Sequence, residues 1–293
     1  MQIFMSMSPA SHAFYSQRLR LHYLDWGNES APTLLFVHGI QDHCRTWDAL
    51  ATELADDYHI IAPDLRGHGD SQWLQGSGYH YLDYIYDLHQ LIKHANLSPV
   101  VLVGHSMGGA IAALFAGIYP ELISKLVLIE GIGLWRELQA QIPVHERARN
   151  WIETTHALSG RLPKRYQSLD EAHRRMLRAN PQLSEGQALH LTTHGSIQNE
   201  DGSYSWKYDN YTHHFSPDSF DTKEMIELWQ RIDCPVQIIN ADNGLPHRIG
   251  QDDTQKYFDN SEIVLIENAS HWTYHDRHET VVTRIKEFLC RHP

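Results

Sequence analysis

The sequence predicts an α/β fold: a mostly parallel sheet flanked by helices and interrupted once by a mainly helical insertion. Two observations lead there. Short apolar runs closed by turn residues alternate with helix-period segments through residue 131 and again after residue 229. That rhythm belongs to a parallel sheet covered on both faces. Between the two stretches the alternation stops, and the chain becomes more polar, rich in Arg, Gln, His and Trp.

The elements follow in order. Arg18–Asp25 (RLRLHYLD) alternates like a strand. Thr33–Val37 (TLLFV) is a short apolar run that stops at His38-Gly39, as a buried strand entering a loop would. Thr46–Ala55 has apolar residues at helical spacing. Tyr58–Ala62 is a second buried strand, closed by Pro63-Asp64. Tyr81–Ala95 reads as a helix, Val100–Val103 as a strand, Met107–Ile118 as a helix ending before Pro120, and Leu126–Ile129 as a strand. The insertion, residues 132–229, contains QNEDGSYSWKYD, which predicts a hairpin with a type I′ turn at Asp201-Gly202. The core resumes with strands at Pro235–Asn240 and Glu262–Ile266 and a helix over Glu279–Leu289. Residues 1–131 and 230–293 thus form the expected core, with the insertion lying over one edge.

Composition narrows the function. The chain has 293 residues, 42% hydrophobic and 20% charged, ordinary for a soluble globular protein. Its net charge of −12 argues against a nucleic-acid partner, which needs clustered Lys and Arg. No run reaches the length of a membrane span. The N-terminal MQIFMSMSPASHAFYS has neither a basic region nor a long apolar one, unlike a signal peptide. Cys44, Cys234 and Cys290 are few, odd in number and far apart, which points to reduced thiols in a cytoplasmic protein. Histidine is abundant, with 22 residues, and composition alone suggests that most are solvated. His271, His275 and His278 share a helical spacing, yet no HExxH-like set accompanies them, so no metal or other cofactor is expected.

The chemistry concentrates at Gly104-His-Ser-Met-Gly108. This G-x-S-x-G lies between an apolar strand and an Ala-rich helix. A nucleophilic serine needs a tight turn that projects its hydroxyl above the sheet. Side chains two residues before and after would collide there, which explains the glycines. The following helix aims free N–H groups and a positive dipole end at the place where an oxyanion would form. The His38-Gly39-Ile40 loop would set the Ile40 N–H opposite the Met107 N–H, with His38 holding the loop.

His38-Gly39, DLRGHGDS at 64–71, GHSMGG at 104–109 and the late histidine of NASHW at 268–272 together resemble the α/β-hydrolase superfamily, in the right order along nearly the whole core. The resemblance is to its serine-hydrolase-like and proteobacterial esterase-type members. It implies an eight-stranded sheet, a variable cap corresponding to the insertion, and structural roles for Asp64 and Arg66. It also implies a catalytic histidine on the loop after the last strand, which is His271. A serine hydroxyl is a weak nucleophile and needs such a base.

The acid departs from the family pattern. The usual aspartate position after the seventh strand falls on Gly244, and the nearest carboxylate, Asp242, comes two residues early. Some members take the acid from the end of the sixth strand, where this chain has Glu130. A carboxylate ending an apolar run needs a partner, and an imidazolium would serve. Glu130 is preferred, with Asp242 as the alternative.

The expected enzyme is a cofactor-independent serine hydrolase, a carboxylesterase on small to medium esters, with Ser106, His271 and an acid as triad. The same triad serves C–C bond hydrolases, lactonases and perhydrolases. A hydrolase-fold ligand-binding protein with little turnover is the rival from another class. Haloalkane dehalogenase and epoxide hydrolase are disfavoured, because their families place aspartate where Ser106 stands. The expected partner is a small-molecule substrate; the sequence does not decide between monomer and dimer. The insertion's Trp135, Trp151, Tyr204, Trp206, Tyr208, Tyr211, Phe215 and Trp229 either line the substrate pocket or form the insertion's own core. The Arg174-Arg175-Arg178 cluster either attracts an acidic substrate or is a solvated helix face.

Overall fold

The computed structural model describes residues 8–76, 79–134, 142–214 and 220–292. Eight strands form one sheet: β1 (Ala10–Ser16), β2 (Leu19–Asp25), β3 (Thr33–Val37), β4 (His59–Pro63), β5 (Val100–His105), β6 (Ile123–Ile129), β9 (Val236–Asn243) and β10 (Ser261–Ser270). Their order is β1-β2-β4-β3-β5-β6-β9-β10. β1 and β2 pair antiparallel, as do β2 and β4, and every pair from β4 onward is parallel. Every residue of β3, β4 and β5 is buried, as expected of strands covered on both faces.

Helices α1 (Asp48–Leu54), α2 (Tyr81–His94) and α3 (Met107–Ile118) follow β3, β4 and β5, and α8 (Thr273–Asp276) and α9 (His278–Arg291) follow β10. Two large apolar clusters fill the two sides of the sheet. β5 lies in the middle of the sheet, so its C-terminal end is flanked by the ends of β3 and β6. Among the described residues no helix is long and apolar enough to cross a membrane. All three cysteines are free; Cys44 and Cys234 are buried.

Between β6 and β9 lie α4 (Val144–Leu158), α5 (Leu169–Ala179), α6 (Glu185–Gly195), the two-stranded β7 (Ser196–Gln198) and β8 (Tyr204–Trp206), and α7 (Thr222–Trp229). Asp221 caps α7 in a capping box, and Ser184 does the same for α6. α7 packs on α3: a Cβ on Gly117 would lie 2.2 Å from the Leu228 carbonyl oxygen, so only glycine permits this approach. Met225 and Trp229 of α7 accordingly join the core cluster.

The structure differs from the sequence reading in two places. The hairpin forms, but its turn is not type I′. Only Gly202 has positive φ (+82°), and Asn199 N–H donates to Ser203 O (2.7 Å), leaving a three-residue loop. The Asp201 carboxylate accepts from the Ser203 N–H (3.0 Å), which holds Asp201 outside the left-handed region that type I′ would demand. β1 has no counterpart in the sequence reading; five of its seven residues are not buried, so it lacks a clean alternation. Of the 22 histidines, His22, His38, His43, His59, His68 and His105 are buried and the rest are partly or fully exposed, as composition suggested for most of them.

Candidate active site

β5 ends at His105, and Ser106 turns the chain into α3 with φ +55° and ψ −120°. A non-glycine residue there stores roughly 1–3 kcal/mol of strain, held only where the surroundings over-determine it. Those surroundings are visible. Ser106 N–H donates to Ile129 O of β6, and the Ser106 carbonyl accepts from Ala110 and Ile132. The glycines are required as expected. A Cβ on Gly104 would lie 2.4 Å from Gly108 O, and one on Gly108 would lie 2.3 Å from Val37 O and 2.5 Å from His38 O.

His271, on the loop after β10, places Nε2 2.8 Å from Ser106 Oγ. Its Nδ1 lies 3.3 Å from Glu130 Oε2. With Nδ1–H donating to the carboxylate, Nε2 is free to accept the serine proton. Glu130 follows β6, fully buried and itself at positive φ (+48°). Its Oε1 accepts from Ala241 N–H (2.6 Å) and its Oε2 from Leu245 N–H (3.0 Å). Arg248 Nε sits 3.0 Å from Oε1, a charge contact whose angle falls outside a hydrogen bond. The Arg248 Nη atoms are anchored on Leu245 O and Ala241 O (2.6 Å each).

Asp242 is elsewhere. It is exposed and accepts from the N–H groups of Asn268 (2.8 Å) and Ala269 (3.0 Å), which hold its carboxyl below the usual range. It therefore ties β9 to the end of β10 that leads to His271. The structure brings Ser106, His271 and Glu130 together and leaves Asp242 out. Gly244 explains the departure from the family pattern. A Cβ there would lie 2.1 Å from Glu130 Oε2, so the Glu130 carboxylate fills the space that a side chain at 244 would take.

On the oxyanion side, Gly39 packs against Ser106, its would-be Cβ 3.1 Å from Ser106 Cβ. Neither the Ile40 nor the Met107 N–H has a protein acceptor among the described residues. His38 accepts from Leu65 N–H at Nε2 (3.0 Å) and donates from Nδ1 to Gly39 O (2.7 Å). Burial pushes its pKa down, in keeping with a neutral ring that holds the loop. Asp64 receives Cys44 N–H and Asp70 N–H and pairs with His22, and Arg66 pairs with Asp87 and Asp83.

Sequence reasoning missed His105. Its Nε2–H donates to His271 O (2.9 Å), and its ring lies 4.7 Å from the His271 ring. Burial keeps it neutral. The one available signal was its place as the variable residue of G-x-S-x-G. Arg248 was also missed, since nothing in the sequence ties it to Glu130.

A cavity of about 230 Å³ opens beside Ile40 and Trp272, the neighbour of His271, and is roofed by residues of the insertion. Trp206, Tyr208 and Arg175 line it. Trp151 instead stacks on His214, Tyr204 pairs through its backbone with Tyr166, and Tyr211 and Trp229 pack against the core. Trp135 and Phe215 lie outside the described residues. Arg174, Arg175 and Arg178 are all exposed, and of the three Arg175 is the one that lines the cavity. Asp42, also on the cavity wall, is buried, which pushes its carboxyl up to about 7; burial pushes His43 down to about 4.

Among the described residues two groups gather three metal-capable side chains: His22, Cys44 and Asp64, and Asp48, His190 and His194. In the first, Asp64 already accepts two backbone N–H groups and the His22 ring. In the second, Asp48 is paired with Arg45 at 2.8 Å. His271, His275 and His278 do not form such a group; His275 Nε2 is bonded to Thr46.

Comparison with known proteins agrees with this architecture. The family model described as the alpha/beta hydrolase fold matches residues 32–278. The chain is 31% identical over 167 residues to a 3-hydroxybutyrate-oligomer hydrolase of Cupriavidus necator, covering 52% of this chain and 57% of that one. It is 26% identical to epoxide hydrolase 1 of Caenorhabditis elegans, covering 94% and 69%. It spans 32% of the length of the curated mycobacterial relatives it matches. Among solved structures it resembles the thioesterase domain of the curacin biosynthetic pathway with a TM-score of 0.83 at 21% identity, covering 95% and 99%.

Proposed function

We propose, for a chain that belongs to the alpha/beta hydrolase fold family, acyl transfer through a serine nucleophile, with carboxylic esters of small to medium size as substrates. One observation carries the reading: the run from Ser106 Oγ to His271 Nε2 (2.8 Å) and from His271 Nδ1 to the buried Glu130 carboxylate (3.3 Å). It is the arrangement by which a histidine oriented by a carboxylate activates a hydroxyl.

Ser106 Oγ attacks the ester carbonyl carbon while His271 Nε2 takes its proton. The carbonyl oxygen becomes an oxyanion and is held by the N–H groups of Ile40 and Met107, at the N-terminus of α3. Glu130 stabilises the imidazolium and keeps its tautomer. The C–O bond to the alcohol then breaks, and His271 protonates the departing oxygen. Water, deprotonated by His271, attacks the acyl-Ser106 ester, and the acid leaves with Ser106 restored. Elbow and triad geometry favour this over epoxide opening, since the elbow residue is serine and not aspartate. The step needs no metal or organic cofactor.

The test is a p-nitrophenyl ester followed from the first turnover. The wild type is expected to show a burst of nitrophenol and an acyl adduct on Ser106, and Ser106→Ala to lose both. Undiminished hydrolysis by Ser106→Ala would contradict the proposal.

A further inference from the structure

A second hollow of about 260 Å³ adjoins the first. Tyr166, Trp206, Tyr208 and Arg175 line both, so these four residues form a shared wall. Each hollow alone is smaller than a usual small-molecule site, and the two together reach that size. The first includes Ile40 and Trp272, the latter next in sequence to His271, and the second includes Lys164 and Asn210.

The charges along this path are uneven. In the first hollow, Lys207 is paired with Asp70 at 2.7 Å, and Asp42 is buried and hydrogen-bonded to the His43 N–H. The neighbouring Arg165 is spent on Glu200 and Asp201. Arg175 and Lys164 have no carboxylate partner among the described residues, and no carboxylate lines the second hollow. Lys164 Nζ stands 5.0 Å from the centre of the Tyr166 ring, which holds its charge against the shared wall. Trp206 and Tyr208 are nearly parallel, 7° apart with centroids at 6.5 Å, and give the wall a flat aromatic face. In a chain of net charge −12, two cations without a carboxylate partner, Arg175 on the shared wall and Lys164 beyond it, are a local inversion of sign.

We propose that the two hollows form one recognition channel for an ester whose acyl chain ends in an anion, with the carbonyl at Ser106, the chain along Trp206 and Tyr208, and the anion held by Arg175 and Lys164. This rests on the serine-nucleophile reading and adds the substrate class to it. Arg175 supplies the directional contact, because its planar fork matches a carboxylate, and Lys164 adds a point charge.

The experiment uses two series of alkyl fluorophosphonates of increasing tail length, one ending in a carboxylate and the other in the isosteric, neutral carboxamide. The rate of Ser106 labelling is read by intact mass. Phosphonylation proceeds by attack of Ser106 Oγ on phosphorus, with its proton passing to His271 and fluoride leaving, so no turnover is needed. At the tail length that spans the channel, the carboxylate series is expected to label roughly tenfold faster or more, the worth of a charged hydrogen bond. Arg175→Gln with Lys164→Gln should abolish that preference, and circular dichroism with a thermal melt shows whether the double variant is folded. Added salt should shrink the preference. Equal rates for the two tails at every length, or a preference that survives in the double variant, would overturn the channel proposal while leaving the nucleophile intact. No labelling of Ser106 by either series would overturn both.

Discussion

Residue 244 and residue 130 compete for one place. A Cβ on Gly244 would sit 2.1 Å from Glu130 Oε2 and 2.4 Å from Oε1. A carboxylate supplied from the end of β6 therefore requires that the loop after β9 supply none. Three expectations follow at this scale. Glu130→Gln should lower kcat by roughly 10³–10⁴-fold, as for loss of a triad acid, whereas Asp242→Asn should leave kcat near wild type; ester kinetics on the purified variants decide it. Gly244→Ala should behave like a Glu130 variant, because its methyl group pushes the carboxylate off His271. Glu130→Ala combined with Gly244→Asp should recover activity that Glu130→Ala alone lacks, and an inactive but folded double variant would show that the two positions are not equivalent. The sequence left Glu130 and Asp242 as rivals for a physical reason. They stand at the ends of strands that pair directly, β6 with β9, and a register of one or two residues decides which carboxylate faces the histidine. That register is set by tertiary pairing, as is Asp242's engagement with Asn268 and Ala269.

At the level of elements, the turn from β5 into α3 concentrates the constraints. Gly104 and Gly108 close on each other and on the end of β3 within 2.3–2.5 Å of a would-be Cβ. Gly108→Ala should destabilise the fold by roughly 1–3 kcal/mol, as overpacking does, and should slow any reagent that reports on Ser106; an unchanged Tm with unchanged labelling would show the turn to be looser than described. This element was legible because a nucleophile turn imposes glycine at fixed offsets inside an apolar strand and an Ala-rich helix. The elements of the core were legible for a related reason: β3 and α3 match their expected bounds, since buried strands and helices announce themselves by apolar runs. β1 was not, because an edge strand with exposed residues carries little alternation. The hairpin turn was misread because Asp-Gly fits both a two-residue and a three-residue loop, and Asp201's hydrogen bond to Ser203 chooses the longer.

Across the whole molecule, the burial of histidine sets a pH dependence. Burial pushes His43 down to about 4 and His68 to about 3, and it also lowers His38 and His105. In the unfolded chain these rings take up protons near 6.5, whereas folded they remain neutral, so the unfolded state binds more protons below 6.5. Their contribution is fully present above 6.5 and is lost as pH falls toward 4 and 3. Asp42 acts in the opposite sense. Its raised pKa contributes stability below its ordinary 3.8 that is lost as pH rises through about 7. Asp87 and His190, also raised, act in the same sense as Asp42, while His275, pushed down to about 3, joins the other lowered rings. The lowered histidines outnumber the opposing groups, so Tm should fall from pH 6.5 to pH 4, and a Tm that rises over that interval would contradict the neutral burial of these rings. Composition could count the histidines but could not place them, because burial of a ring depends on which loop folds over it.

The central claim is that Ser106 is an activated nucleophile. The most direct measurement is intact mass after incubation with a simple organophosphonate, on wild type and on Ser106→Ala. The account predicts a single adduct on the wild type and none on the variant. An unmodified wild type, or an adduct that persists in Ser106→Ala, would contradict it.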